Sequence, residues 1–106
     1  KVSIERKCSL DESTNCWTTS RDRFKREFER ARAKDAKVYL LIEQATWEKA
    51  YHGYYRSQMK RQALVASMTT WMARYDTPIV MCNAETSGQL IYDILYREMK
   101  EALINL

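Results

Sequence analysis

An α/β domain, with a central, mostly parallel sheet flanked by helices, is the expected fold of this 106-residue chain. Three observations carry that expectation. Short runs of β-forming residues recur at residues 2–7, 38–42 and 79–82. Between these runs, and after the last, apolar residues return at helical spacing. The chain has only two glycines and one proline, which argues against long loops and an all-β architecture. Strands that alternate with helices imply parallel pairing through right-handed crossovers. The length suits one domain with a modest core and not two.

The elements follow in order. Val2-Ser3-Ile4 alternates apolar and polar, so residues 2–7 read as a strand. Residues 8–19 are polar and read as a short helical turn and loop. Ser20 is placed to cap a helix running to about Lys34, with Phe24, Phe28 and Ala31 on one face. Arg23–Glu27 and Lys25–Glu29 are spaced to pair on its exposed faces. Val38–Ile42 is a continuous run of β-formers, the pattern of a strand covered on both faces, and Glu43 closes it.

Thr46 is placed to cap a short helix over Trp47–Tyr51, and residues 52–55 read as a loop. Ser57 is expected to start a second long helix to about Tyr75, with Leu64, Met68, Trp71 and Tyr75 on one stripe. Asp76-Thr77-Pro78 ends it, because the residue before proline is pushed out of the helical region. Ile79–Cys82 is a further short strand, and Asn83 is placed to cap a last helix from Ala84 to about Leu103. That helix carries Leu90, Ile91, Ile94, Leu95, Met99 and Leu103, followed by Leu106, a wider apolar surface than one sheet face requires. It reads either as a core helix or as a homodimer face.

The net charge is +4, and it is unevenly placed. Residues 1–37 hold 11 Lys and Arg against 7 Asp and Glu, whereas residues 38–106 hold 7 of each. A polyanion is therefore drawn to the first third of the chain. No apolar stretch approaches the ~20 residues of a membrane-spanning helix, and no signal peptide is visible at the start. Cys8, Cys16 and Cys82 are odd in number and lack metal-ligand spacing. A reducing compartment, cytoplasm or nucleus, is the expected location.

The chemistry is concentrated in Glu5-Arg6-Lys7-Cys8-Ser9-Leu10-Asp11. In a strand, Glu5 and Lys7 project from one face and Arg6 from the other. A carboxylate and an ammonium side by side suit metal-dependent phosphodiester hydrolysis. The carboxylate holds the cation, and the lysine orients or deprotonates the attacking water and offsets phosphate charge. Asp11 falls just past the strand, where it orients Lys7 or Arg6 or caps the turn that follows.

Glu5-Arg6-Lys7 with Asp11 four positions on resembles the Glu-Arg-Lys-x-x-x-Asp signature of the XPF/Hef structure-specific endonucleases, divergent members of the restriction-endonuclease-like fold. Arg21-Asp22-Arg23-Phe24-Lys25 is similar to the arginine-rich start of that family's next helix. Val38–Glu43 and Thr77–Met81 resemble its following strands, in the same order. The family signature opens with Gly-Asp upstream, and no Gly-Asp appears here. The expectation is an N-terminally incomplete domain lacking the first strand or strands.

The resemblance implies a divalent-metal-dependent DNA endonuclease acting on branched, flapped or forked DNA, often paired as a homodimer. Glu5 and the backbone carbonyl of Arg6 would then hold Mg²⁺ or Mn²⁺, since hard cations take oxygen ligands and keep several waters. Glu5, Lys7 and Asp11 form the catalytic set. Arg21 and Arg23, at a helix start, are the best-placed phosphate contacts, with an ordinary exposed charged face as the alternative. Glu43 either adds to the metal site or partners Arg6. Trp47, Tyr51, Tyr54 and Tyr55 read as packing residues, with stacking on unpaired bases as the alternative, and His52 as a surface loop residue. A non-catalytic DNA-binding or dimerisation module of the same fold is the competing reading, and an unrelated α/β interaction module a third.

Overall fold

The structure is a computed structural model, and it describes residues 1–105. Three strands, β1 (Val2–Lys7), β2 (Lys37–Glu43) and β3 (Ile79–Cys82), form one sheet in the order β1-β2-β3. Both pairings are parallel, with Glu5 opposite Leu40 and Lys7 opposite Ile42. This is the expected α/β architecture. β1 and β3 are the edges, so the outer side of β1 has no pairing strand among the described residues.

β2 is central and reads as a buried strand should: Leu40, Leu41 and Ile42 are inaccessible to solvent. Leu40 and Ile42 face the main core, which is built with α1 (Leu10–Cys16), α2 (Arg21–Ala33), α3 (Trp47–His52) and α4 (Arg61–Tyr75). At its centre Trp17, Phe24, Phe28 and Trp71 interlock, with ring centroids 4.9–6.2 Å apart. Aromatics bury the most apolar area per residue and favour such tilted and edge-on pairs.

The opposite sheet face carries a single helix, α5 (Ala84–Ile104). Lys37 and Tyr39 on that face both bond Glu98 of α5. Leu90, Ile91 and Ile94 are half-buried, while Leu95, Met99, Leu103 and Ile104 are exposed. Leu106 lies outside the described residues. No described helix is long and apolar enough to cross a membrane.

Several local expectations are corrected. Residues 10–16 form a full helix, because Ser9 and Glu12 cap it reciprocally: Ser9 Oγ accepts from the Glu12 N–H and Glu12 Oε1 from the Cys8 N–H. Helix α4 begins at Arg61 and not at Ser57. Lys60 is extended, so the helix does not start earlier, and the Ser57 N–H bonds Asp11 Oδ1 in the loop before it. Asn83 makes no side-chain cap; Gln44 Oε1 accepts from the Ala84 N–H instead, at 2.7 Å. Ser20 Oγ likewise caps nothing and accepts from Arg23 Nη2. Neither expected ion pair on α2 forms, and Glu29 accepts from the Tyr75 hydroxyl. Thr46 does cap α3, accepting from the Lys49 N–H at 3.0 Å.

Candidate active site

The alternation of β1 sends Glu5 and Lys7 to the same face, and their side chains converge: Lys7 Nζ lies 3.3 Å from Glu5 Oε2. They line an open recess of about 390 Å³ at the sheet edge. Its other walls are the α1 residues Glu12, Asn15 and Cys16 and the start of α2, Ser20, Arg23, Phe24 and Glu27. The lining is mostly polar, and Lys7 Nζ stands 5.8 Å from the centroid of the Phe24 ring. The first N–H groups of α2 have no intrahelical partners, which gives this rim a positive end.

Burial pulls the Lys7 pKa down, but Cys16, Glu5 and Glu12 together outweigh it and hold the group above the ordinary lysine value. Lys7 is therefore an ammonium at neutral pH. Burial pushes the Cys16 thiol up to about 11, so it stays protonated and is no nucleophile at neutral pH. The Cys8 N–H holds the Glu12 carboxyl below its usual range, with Lys7 and Arg6 adding to the effect and desolvation opposing it.

The remaining site residues separate. Arg6 projects to the α5 face and binds Glu43, whose side chain is 3% exposed. Glu43 thus stands on the opposite face from Glu5 and partners Arg6. Asp11 turns away from the recess: its Oδ1 accepts from the Arg56 and Ser57 N–H groups at 2.7 and 2.8 Å. Arg23 borders the recess, whereas Arg21 lies beside it on a shallow surface with Thr18 and Arg26. Trp47 and Tyr55 pack on the core, and Tyr51 and Tyr54 are exposed.

Glu12, like Glu27, is a recess carboxylate that the sequence reading passed over. Its signal was available in the Ser-x-x-Glu spacing of Ser9 and Glu12.

Among the described residues no three His, Cys, Asp or Glu side chains are grouped to hold a metal ion. A magnesium-type cation takes one or two carboxylates and keeps water in its other positions. Glu5 is such a carboxylate, partly open to solvent and bound only to Lys7. Compared with known proteins, the chain matches no family model, no curated protein and no solved structure.

Proposed function

We propose that this chain is the nuclease domain of an XPF/Hef-like endonuclease with a restriction-endonuclease-like fold. It hydrolyses phosphodiester bonds in DNA with a divalent metal, on branched, flapped or forked substrates. The observation that carries the reading is the convergence of Glu5 and Lys7 in an open recess at the sheet edge.

Glu5, with the carbonyl of Arg6, would hold Mg²⁺ or Mn²⁺. Such an ion, when bound, supplies Lewis-acid stabilisation of phosphate charge and a more acidic water. The chain's own residues do the rest. Lys7, as an ammonium, donates to a phosphate oxygen and orients the attacking water. Arg23 and the positive start of α2 anchor an adjacent phosphate. Asp11 supports the site from behind by fixing the loop against α1. The exposed Leu95, Met99, Leu103 and Ile104 of α5 support a homodimer through that helix.

The second reading is a non-catalytic DNA-binding or dimerisation module of the same fold. The lack of a three-ligand acidic group among the described residues favours it. Labelled forked and duplex DNA with Mn²⁺ separates the two, with Glu5→Ala and Lys7→Ala beside the wild type. The nuclease reading expects each variant to lose about 100-fold or more in cleavage rate. Equal cleavage by all three proteins removes both residues from the mechanism. Binding without cleavage by the wild type selects the scaffold.

A further inference from the structure

We propose that the corner formed by α3, the loop 53–60 and the start of α4 binds an unpaired DNA strand. Bases stack on Tyr51, His52 and Tyr54, and phosphates pair with Arg56, Lys60 and Arg61. This rests on the reading that the chain acts on DNA.

The exposed aromatics carry the first part. Tyr51 is 59% and Tyr54 69% exposed, although Trp47 and Tyr55 beside them pack on the core. His52 and Tyr54 already lie face to face, with centroids 5.3 Å apart and planes 22° from parallel. A groove of about 570 Å³ runs from Tyr51 and His52 past Arg61 and Gln62 to Val65 and Ala66. Flat, sequence-tolerant aromatic faces beside cations are what a single strand uses, and a duplex keeps its own base faces stacked.

Charge carries the second part. Between Gln44 and Tyr75 the basic residues are Lys49, Arg56, Lys60, Arg61 and Arg74, and Glu48 is the only acidic one. The segment from Asp76 onward holds Asp76, Glu85, Asp93, Glu98 and Glu101 against Arg97 and Lys100. The balanced total of residues 38–106 thus conceals a basic α3–α4 unit and an acidic α5. Asp11 also meets the corner, but its Oδ1 is turned to backbone N–H groups.

The loop is also fixed in advance. Gly53 takes the left-handed conformation, φ 73°, and ends α3 where the chain turns against Arg61. The Tyr54 N–H bonds Lys49 O at 2.9 Å, and the Tyr55 hydroxyl bonds Met59 O at 2.7 Å. Ser57 Oγ accepts from the Met59 N–H. Together with Asp11, these bonds lower the ordering cost of binding. Because Asp11 opens α1 just after Lys7, an unpaired strand held here lies across α1 from the Glu5–Lys7 recess.

The test is fluorescence anisotropy with an oligo-dT of about 20 nucleotides and a blunt duplex of equal length, without divalent metal. The double variant Tyr51→Ala/Tyr54→Ala is expected to bind oligo-dT at least about tenfold more weakly, with duplex affinity within about threefold of wild type. Tyr51→Phe/Tyr54→Phe keeps the rings and stays within about twofold. Arg61→Ala weakens both ligands and lowers the salt slope by about one. Circular dichroism checks that each variant is folded. Unchanged oligo-dT binding by the alanine pair overturns the proposal, as does an equal loss on both ligands. If the wild type cleaves DNA and the alanine pair binds oligo-dT normally, only this inference falls. If the wild type binds neither ligand, the DNA reading falls with it.

Discussion

Asp11 and Arg56 lie 45 positions apart, yet the Asp11 carboxylate accepts the Arg56 backbone N–H at 2.7 Å. The same oxygen takes the Ser57 N–H at 2.8 Å. One side chain therefore ties the first turn of α1 to an irregular loop that has few backbone bonds of its own. Removing it leaves two backbone donors without their partner. Asp11→Ala is expected to lower stability by about 1–2 kcal/mol, a fall in Tm of roughly 5–10 °C. Hydrogen exchange at Arg56 and Ser57 should accelerate more than exchange in β2. Unchanged exchange there would show that the loop is held by something else.

Glu43 sets an acid limit on stability. Hydrogen bonding to Arg6 holds the Glu43 carboxyl below its ordinary value against the effect of desolvation. Glu98 is lowered too, by hydrogen bonds from Lys37 and then Tyr39. The unfolded chain takes up these protons first as pH falls, so it binds more protons in that window and stability rises with pH. The contribution is complete above the unfolded value of about 4.5 and is lost as pH drops through the lower folded values. Thermal unfolding between about pH 3 and 7 should show Tm falling steeply below about 4.5, and less steeply for Glu43→Gln. Parallel curves for the two proteins would exclude Glu43 as a source of the acid loss.

Glu5 and Lys7 should matter little to folding. Their ion pair is partly open, with side chains 37% and 19% exposed. Such pairs contribute about 0–1 kcal/mol. Glu5→Ala and Lys7→Ala are therefore expected to melt within about 5 °C of the wild type. A loss of cleavage then reports on chemistry. Trp71→Ala provides the contrast, since it empties the centre of the aromatic cluster and should cost about 3–5 kcal/mol.

Two of the three thiols should react in a fixed order. Cys8 is exposed and Cys16 is buried, and all three cysteines are free. At neutral pH Cys16 is a protonated thiol, its pKa pushed up to about 11 by burial. Iodoacetamide followed by mass spectrometry should label Cys8 first and leave Cys16 unmodified until the chain is unfolded. Early labelling of Cys16 would mean that α1 opens from the sheet in the native protein.

What the chain announces in advance is local. The run Val38–Ile42 has no polar break, so its burial on both faces was legible. Thr46 and Pro78 act on their immediate neighbours, and both marked their boundaries correctly. The same-face placement of Glu5 and Lys7 follows from strand parity alone. The misses are contacts that span the chain. Gln44 displaces Asn83 as the cap of α5 across 40 positions. Ser57, suited to begin a helix, lies instead in a loop pinned to Asp11. Glu29 leaves its helix neighbour Lys25 for Tyr75. In each case a local preference of about 1 kcal/mol or less yields to a partner that only the tertiary fold brings near. The exposure of Tyr51 and Tyr54, against the partial burial of Trp47 and Tyr55, was equally invisible, since all four are aromatic and close in sequence.

The separation of cations on α3 and α4 from anions on α5 makes the molecule an electric dipole laid across its own sheet. In the field of a polyanion it experiences a torque before any contact forms, over roughly the 8–10 Å that physiological salt leaves unscreened. Collisions are thereby sorted: the face carrying α2, α3 and α4 leads and α5 trails. On the proposed DNA-binding reading, the trailing helix would keep its exposed apolar side chains clear of the strand.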